Sequence, residues 1–291
     1  MEWTECLKKA IDYMEENLLN NISAEEVSAE VYMSSFYLQK GFKIMTGYSI
    51  AEYIRCRRLY MAALDVIAGK EKVIDLAYKY GYDTPESFTK AFTRFHGIAP
   101  KKIKGDTSKI KVFLPLRIIV SIKGGYDMDY VVEKMESMKM IGFKRFFSFE
   151  TSYEEIPKFW SEFTDKCNTG EYSKEEEKII EECCIGEFGI CICDDNNKSG
   201  FDYMIAGEYK GGDIPKRMEV YEIPALEWAK FKCVGPMPEA LQTVNTRIFN
   251  EWLPGNPNYE IAREINIEWY SKENCKAKDY ESGIWIPVKR K

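Results

Sequence analysis

Residues 34–50, SSFYLQKGFKIMTGYSI, and residues 84–100, TPESFTKAFTRFHGIAP, decide the fold of the first third of this chain. Each stretch begins with Ser or Thr as a helix N-cap and later reaches a glycine, which is typical of a short capped helix. At an offset of 50 the two stretches share apolar, basic and glycine positions: Leu38/Phe88, Lys40/Lys90, Phe42/Phe92 and Gly47/Gly97. The repetition predicts two copies of one helical unit, with the shared apolar positions in its core.

A short helix is predicted before each of these helices, at 24–31 and at 73–80. A short helix, a turn of three or four residues and a second capped helix form the helix-turn-helix plan. Apolar residues at helical spacing predict a further amphipathic helix at 3–18. We therefore expect an all-α first domain with two helix-turn-helix units.

A long helix predicted at 50–68 joins the two units. Its 19 residues give a length of about 28 Å. Successive major-groove faces on one side of B-DNA lie about 34 Å apart. A rigid helix of this length can hold two recognition helices roughly one duplex turn apart, so a single chain can read two adjacent groove segments.

Charge is concentrated where such contacts would be needed. The whole chain is acidic, with a formal net charge of −6. Residues 34–60 nevertheless carry five basic residues against Glu52 alone, and residues 88–104 carry five basic residues and no acid. Because DNA binding depends on neutralising phosphates, these two basic windows make double-stranded DNA the expected partner.

Residues 1–104 resemble the DNA-binding region of the AraC/XylS family, and in particular its MarA, SoxS and Rob branch. The resemblance is carried by LQKGF at 38–42, TG at 46–47, YIRCRRL at 53–59, DLA at 75–77, GY at 81–82, SFTKAF at 87–92, Gly97 and Pro100. It implies that the recognition helices contact DNA through Phe36, Gln39, Lys40, Pro85, Glu86 and Lys90. Glu86 departs from the polar residue usual in that branch, so it either accepts from cytosine or repels phosphate.

Three arginines on the long helix, Arg55, Arg57 and Arg58, are the other candidates for DNA contact. Either they form a solvated face, or at least one of them contacts a phosphate. We expect the second, with Arg55 as the candidate.

Composition excludes several other classes of protein. With 45% apolar and 30% charged residues, the chain is neither disordered nor built to cross a membrane. Nine cysteines and an acidic start without an export signal indicate free thiols in the cytoplasm. His96, the single histidine, excludes most histidine-based metal sites. We expect no cofactor and no metal.

The cysteines leave one alternative open. Cys183, Cys184, Cys191 and Cys193 lie close in sequence, as the ligands of a thiol metal or redox cluster would. However, Cys191 and Cys193 stand on one side of an apolar strand, where cysteine behaves as a small hydrophobic residue. Core packing is the favoured interpretation.

After a polar linker at 105–127, the pattern changes to alternating strands and helices, which predicts an α+β second domain at 128–291. Strands are predicted at 130–137, 140–149, 189–193, 203–208, 217–223, 226–234, 265–270 and 284–288. Helices are predicted at 153–166, 174–184 and 238–253. The order suggests a duplicated strand-helix-strand module, divided near 195–201.

This second region resembles the GyrI-like small-molecule-binding domain. The resemblance is carried by EEIPKFW at 154–160, EIPA at 222–225, WAKF at 228–231, GP at 235–236, EWLP at 251–254, IEWY at 267–270 and IWIPV at 284–288. It implies a ligand groove between the two halves, lined by aromatic residues, with Glu268 and Glu281 as the acidic pair. Trp160, Trp228 and Tyr270 are the expected aromatic contacts.

Glu268 lies within an apolar strand, where an unpaired charge is costly. A carboxylate there favours a cationic guest, and aromatic walls suit flat amphipathic cations. The alternative is that Glu268 faces solvent from an edge strand.

The sequence therefore predicts a DNA-binding transcription regulator, not an enzyme, that senses a small amphipathic molecule. A cation is the candidate ligand, and RNA polymerase is a further candidate partner. One alternative is a small-molecule hydrolase fused to a DNA-binding domain, with Glu268 as general base. Another is a domain that sequesters a protein and binds no ligand.

Overall fold

The computed structural model describes residues 3–103, 107–118, 128–193 and 199–291. The chain divides into two compact units, residues 1–122 and 123–291. In the described ranges the first unit is helical, and the second combines an antiparallel sheet with helices. The predicted multidomain fold, all-α followed by α+β, is confirmed.

The helices of the first unit are α1 (Trp3–Glu16), α2 (Ala24–Glu30), α3 (Ser35–Thr46), α4 (Ile50–Ala68), α5 (Val73–Lys79), α6 (Pro85–His96) and α7 (Pro100–Ile103). The repeat predicted from sequence extends to the helix ends. Ser34 and Thr84 accept hydrogen bonds from backbone N–H groups in the first turns of α3 and α6. Gly47 and Gly97 end these helices in the left-handed region, with φ of 78° and 75°. Glycine adopts this conformation without steric cost.

The long helix α4 contributes to the cores of both helix-turn-helix copies of the first unit. Near its N-terminus, Tyr53 packs edge-on against Phe42 of α3, with ring centroids 5.8 Å apart. Toward its C-terminus, Leu59 and Val66 enter a core cluster with Phe88 of α6. Because α4 fills both cores, the separation of α3 from α6 is fixed by one continuous helix of the predicted length.

The segment after α7 packs on the first unit. A short 3-10 turn at Thr107–Lys109 leads into an extended stretch in which Phe113 is buried. The Phe113 ring lies 5.2 Å from that of Tyr48 and 6.1 Å from that of Phe95. Much of the predicted linker lies outside the described residues, so its boundaries of 105 and 127 stay a prediction. The described middle part of this segment nonetheless packs against the helices of the first unit through Phe113.

The strands of the second unit are β1 (Tyr130–Met135), β2 (Met138–Ser148), β3 (Phe188–Ile192), β4 (Gly200–Glu208), β5 (Glu219–Ile223), β6 (Leu226–Val234), β7 (Tyr259–Ile261), β8 (Ile265–Tyr270) and β9 (Glu281–Arg290). The helices are α8 (Ser152–Thr169), α9 (Lys174–Glu182), α10 (Glu239–Arg247), which continues as a π-helical turn at Ile248–Trp252, and α11 (Leu253–Gly255). The strands form one antiparallel sheet in the order β1-β6-β9-β8-β3-β4-β2-β5, and β7 pairs with β9.

The sheet is strongly curved. Only two residues join β5, at one end of the strand order, to β6, next to the other end. Two residues span roughly 10 Å at most, so the sheet must bend until its ends approach each other. An apolar cluster that includes Trp228, Ile267 and Met204 occupies one face. α8 packs on the other face, where Phe159 contacts Phe147 of β2.

The strand order is symmetric about the boundary between β3 and β8. On one side lie β8, β9, β6 and β1, and on the other side lie β3, β4, β2 and β5. The predicted duplication is therefore visible, but the halves divide along the chain between β5 and β6, and β1 joins the later half. The expectation of a division near 195–201 is wrong, because β3 and β4 pair as neighbours within one half.

Candidate functional sites

The second recognition helix presents polar residues to solvent. On α6, Glu86 and Lys90 are exposed, and Phe88 and Phe92 are fully buried. The burial of the two phenylalanines confirms the predicted core stripe. Glu86 and Lys90 are thus placed where a nucleic acid can reach them, and their contact with bases or phosphate stays a prediction.

The first recognition helix differs, because the residues expected to touch DNA are largely buried. Phe36 has no exposed surface, and Gln39 is 7% exposed, with its amide donating to Ser35 Oγ at 3.1 Å. The Phe36 ring packs edge-on against Tyr37 and carries the half-buried Lys40 ammonium 5.6 Å from its centroid. Both side chains are thus buried in this conformation, and their contact with DNA stays a prediction.

Two of the three candidate arginines stabilise the domain. Arg57 is buried and forms a two-point ion pair with Glu15, at 2.8 and 2.7 Å. Arg58 donates to the carbonyl oxygens of Leu18 and Asn20, both at 2.6 Å. Arg55 is exposed and remains the candidate for phosphate contact.

The single histidine also has a structural position. His96 is buried, with Nε2 3.0 Å from the Leu59 carbonyl oxygen, and Nδ1 accepts from the backbone N–H of Lys111 at 3.2 Å. Burial lowers the pKa of His96 and favours the neutral ring. Both ring nitrogens are thus occupied by backbone groups.

Glu268 lies at the boundary between the two halves of the sheet. It stands on β8, opposite Gly189 of β3 and Ile284 of β9. Its side chain points to the face opposite the apolar cluster, because the neighbouring Ile267 belongs to that cluster. Tyr270, two residues further along β8, shares the face of Glu268. The carboxylate is therefore inside the sheet, not on an edge strand.

Three aromatic side chains surround the carboxylate. The hydroxyl of Tyr203 donates to Glu268 Oε2 at 2.7 Å, and that of Tyr270 donates to the same oxygen at 2.8 Å. Trp160 of α8 donates through Nε1 to the Tyr203 hydroxyl at 2.9 Å. Its ring meets that of Tyr270 edge-on, with centroids 5.1 Å apart. Glu268, Tyr203, Tyr270 and Trp160 are called the Glu268 cluster below.

The protonation of the two tyrosines follows from their surroundings. Burial, and next the charge of Glu268, raise the pKa of both Tyr203 and Tyr270 well above the usual value. Both hydroxyls therefore keep their protons and donate. Among the described residues, no Lys or Arg forms an ion pair with Glu268. Within that part of the chain the Glu268 carboxylate has no ion-pair partner.

Glu281 and Trp228 lie outside this cluster. Glu281 is three residues from Ile284, the partner of Glu268 on β9, so its side chain points to the opposite face of the sheet. It is exposed and pairs with Lys232 at 2.6 Å. Trp228 is fully buried in the apolar cluster. The expectation that Glu268 and Glu281 form an acidic pair is wrong, because they stand on different faces.

Two residues of the site escaped the sequence reasoning. Tyr203 begins a predicted strand, but nothing in its local pattern places it beside a residue 65 positions later. Gly189 makes their contact possible, since a Cβ there would lie 2.0 Å from the Tyr203 hydroxyl oxygen. A glycine within an apolar strand was the available signal, because such glycines often mark close approach.

Two families match this chain. A helix-turn-helix domain matches residues 27–105, and the integron-associated effector binding protein family matches residues 132–288.

Curated relatives also match this chain. MarA, the multiple antibiotic resistance protein of Escherichia coli, is 32% identical over 32% of this chain and 74% of its own length. The transcriptional activator AarP of Providencia stuartii is 33% identical over 32% of this chain and 70% of its own. The right origin-binding protein of Escherichia coli is 26% identical over 58% of this chain and 60% of its own.

Solved structures also resemble this chain. SAV2435 bound to tetraphenylphosphonium is 19% identical, with a TM-score of 0.45, over 56% of this chain and 94% of that chain. An integron cassette protein of Vibrio cholerae is 12% identical, with a TM-score of 0.40, over 55% of this chain and 95% of that chain.

Fold, sites and sequence matches together define a DNA-binding regulator fused to an effector-binding domain. The chain belongs to the AraC/XylS family, with a MarA-like DNA-binding region followed by a GyrI-like domain of the integron-associated effector-binding family. The named relatives include a transcriptional activator and a multiple antibiotic resistance protein, which does not favour the hydrolase alternative. Across the part of the chain that the structure describes, no helix has the length and apolar content needed to cross a bilayer.

Proposed function

We propose that this regulator senses a small amphipathic cation at the Glu268 cluster and changes its effect on transcription in response. One observation carries the proposal: a carboxylate inside the sheet is held by two tyrosine hydroxyls and has no cationic partner among the described residues. A charge in such a place is costly unless it is compensated. A cationic guest supplies the missing charge, and the surrounding aromatic rings attract it further.

The DNA-binding half of the proposal rests on α6 and α4. Lys90 and Arg55 are exposed on these helices and lie in the two basic windows. In this proposal the protein acts in the cytoplasm. Lys90 and Arg55 contact phosphates of adjacent groove segments, and Glu86 adjusts the base preference. RNA polymerase is the proposed second partner, through which the DNA-bound regulator alters transcription.

The ligand half is tested by calorimetry on the full chain with a planar aromatic compound whose alkylamine side chain is protonated at pH 7, and with its uncharged carbon isostere. We expect the cation to bind at least tenfold more tightly, because only the cation compensates Glu268. Equal affinity for the two compounds would show that the cluster is not a cation site. The same compounds are then added to a DNA-binding assay, where a cation that leaves DNA affinity and transcription unchanged contradicts the sensor role.

The DNA half is tested by the salt dependence of binding to duplex DNA. Replacing Lys90 by Ala should weaken binding across sequences and reduce the slope of log K against log salt by about one. Lys178→Ala is the matched control, since it removes an exposed lysine of the second domain. An unchanged slope in Lys90→Ala would remove this residue from the interface.

A further inference from the structure

The two oxygens of the Glu268 carboxylate are used unequally. Oε2 accepts from both Tyr203 and Tyr270. Within the described ranges no group donates a hydrogen bond to Oε1. Although Oε1 has no hydrogen-bond donor in those ranges, it is not fully buried and keeps some surface in contact with solvent. One oxygen is held by the protein and the other is open to a guest.

The donors at Oε2 are themselves fixed in direction. Trp160 Nε1–H points at the Tyr203 hydroxyl oxygen, so the hydroxyl proton is directed away from Trp160 and toward Glu268. Gly189 leaves the space in which this contact forms. The carboxylate is therefore held in one orientation before any ligand arrives, which lowers the entropy cost of binding at Oε1.

Cations differ in how they can use an open carboxylate oxygen. A protonated amine donates an N–H at about 2.7–2.9 Å, and such a charge-assisted hydrogen bond is roughly twice as strong as a neutral one. A quaternary ammonium or phosphonium ion carries its charge behind carbon atoms and has no proton to donate. It is held by Coulomb attraction at a longer distance, where the interaction is weaker.

Building on the proposed cation site, we propose that the Glu268 cluster selects aromatic cations that carry an N–H donor over quaternary cations of the same shape. Oε1 is the acceptor for that N–H. Tyr203 and Tyr270 act as positioning residues, because they hold Oε2 and so present Oε1 to the ligand.

The test uses matched pairs of probes on the full chain at pH 7. Each pair shares one planar tricyclic body and one propyl chain, which ends in dimethylamine in one compound and in trimethylammonium in the other. Calorimetry should show the protonated amine binding at least tenfold more tightly than the quaternary ion. In Glu268→Gln, both affinities should fall and the ratio between them should shrink to within about threefold.

Tyr270→Phe separates positioning from folding. It removes one donor from Oε2 but keeps the ring, the charge of Glu268 and the bond between Trp160 and Tyr203. We expect the ratio of the two affinities to narrow at least about threefold while the quaternary ion still binds. A merely structural role of Tyr270 would weaken both probes equally and leave the ratio unchanged, which would overturn the positioning role.

The outcomes separate this inference from the proposed function. Equal binding of the two probes, lost for both in Glu268→Gln, overturns the N–H selectivity and leaves the cation site intact. Binding by neither probe, or binding that Glu268→Gln does not affect, overturns the proposed cation site and the selectivity together.

Discussion

The second domain holds two carboxylates in protected positions, and their surroundings differ in one respect. Glu176 on α9 is 4% exposed and accepts from Arg217 at 2.7 and 2.6 Å and from the backbone N–H of Ser173 at 2.8 Å. Glu268 accepts only from tyrosine hydroxyls among the described residues. The first carboxylate is paired with an arginine, and the second has no cationic partner in the described ranges.

This difference distinguishes a structural carboxylate from a binding carboxylate. The hydrogen bonds from Arg217 lower the pKa of Glu176 to about 2, so its charge is fully compensated in the folded chain. The bonds to Glu268 come from neutral groups that keep their protons. The same residue type with different partners therefore leads to opposite expectations for stability and for ligand binding.

The largest expected effect concerns ligand affinity. Glu268→Gln should weaken binding of an aromatic compound with a protonated alkylamine side chain at least about 30-fold, equivalent to about 2 kcal/mol, because the compensating charge is lost. Glu176→Gln should change affinity less than twofold. Calorimetry on both variants measures the contrast, and Glu281→Gln adds a control whose carboxylate faces the other side of the sheet. Comparable losses of affinity in all three variants would show that Glu268 does not bind the cation.

The second effect concerns stability and has the opposite pattern. Glu176→Gln should lower the free energy of unfolding by about 1–3 kcal/mol, because Arg217 and the α9 N-terminus lose a charged acceptor. Glu268→Gln should stay within about 1 kcal/mol of the parent, since the removed charge had no cationic partner. Urea unfolding followed by tryptophan fluorescence measures this, because five of the six tryptophans lie in the second domain. A larger loss in Glu268→Gln than in Glu176→Gln would reverse the comparison.

The third effect tests how Glu268 is held. Gly189→Ala places a Cβ 2.0 Å from the Tyr203 hydroxyl oxygen and 3.1 Å from Glu268 Oε2. The hydroxyl must move, so we expect a loss of about 1–3 kcal/mol in stability and a severalfold loss in affinity. Gly255→Ala is the matched control, because an added Cβ there meets nothing within 4 Å. If both variants behave like the parent, the close packing around Glu268 is not required.

The smallest expected effect is the contribution of Glu176 to the pH dependence of the free energy of unfolding. Its pKa falls from 4.5 to about 2 on folding, so its stabilising contribution is complete above about pH 4.5 and is lost as the pH falls toward 2. Between pH 5 and 3 the parent should lose on the order of 1 kcal/mol more stability than Glu176→Gln. Parallel curves for the two proteins would show that Glu176 is not paired in solution.

Local sequence signals predicted the helical domain almost to the residue. N-cap residues, glycines at helix ends and apolar spacing act within a few residues of one another. The observed α4, for example, has Ser49 as its N-cap and ends at Gly69. The strands of the second domain were also placed well, because alternation along a strand is local. The short strand β7 was missed, since its pairing with β9 is a contact distant in sequence.

The sites were less predictable because their members meet only through folding. Glu268 was identified from its own strand, and Trp160 and Tyr270 proved to be its neighbours. Glu281 was assigned to the site from resemblance, and the register of β9 turns its side chain to the other face of the sheet. Phe36 and Gln39 were assigned outward positions from resemblance alone, and the structure buries them.

Residue order alone determined the repeated helical units, the long helix between them and the presence of an acid within an apolar strand, because each depends on neighbours in the chain. Tertiary structure decided which carboxylate received an arginine and which received only tyrosines. That decision depends on strands brought together by the curvature of the sheet, as Gly189 and Tyr203 are brought to Glu268. Charge compensation is a property of distance in space, which the order of residues does not contain.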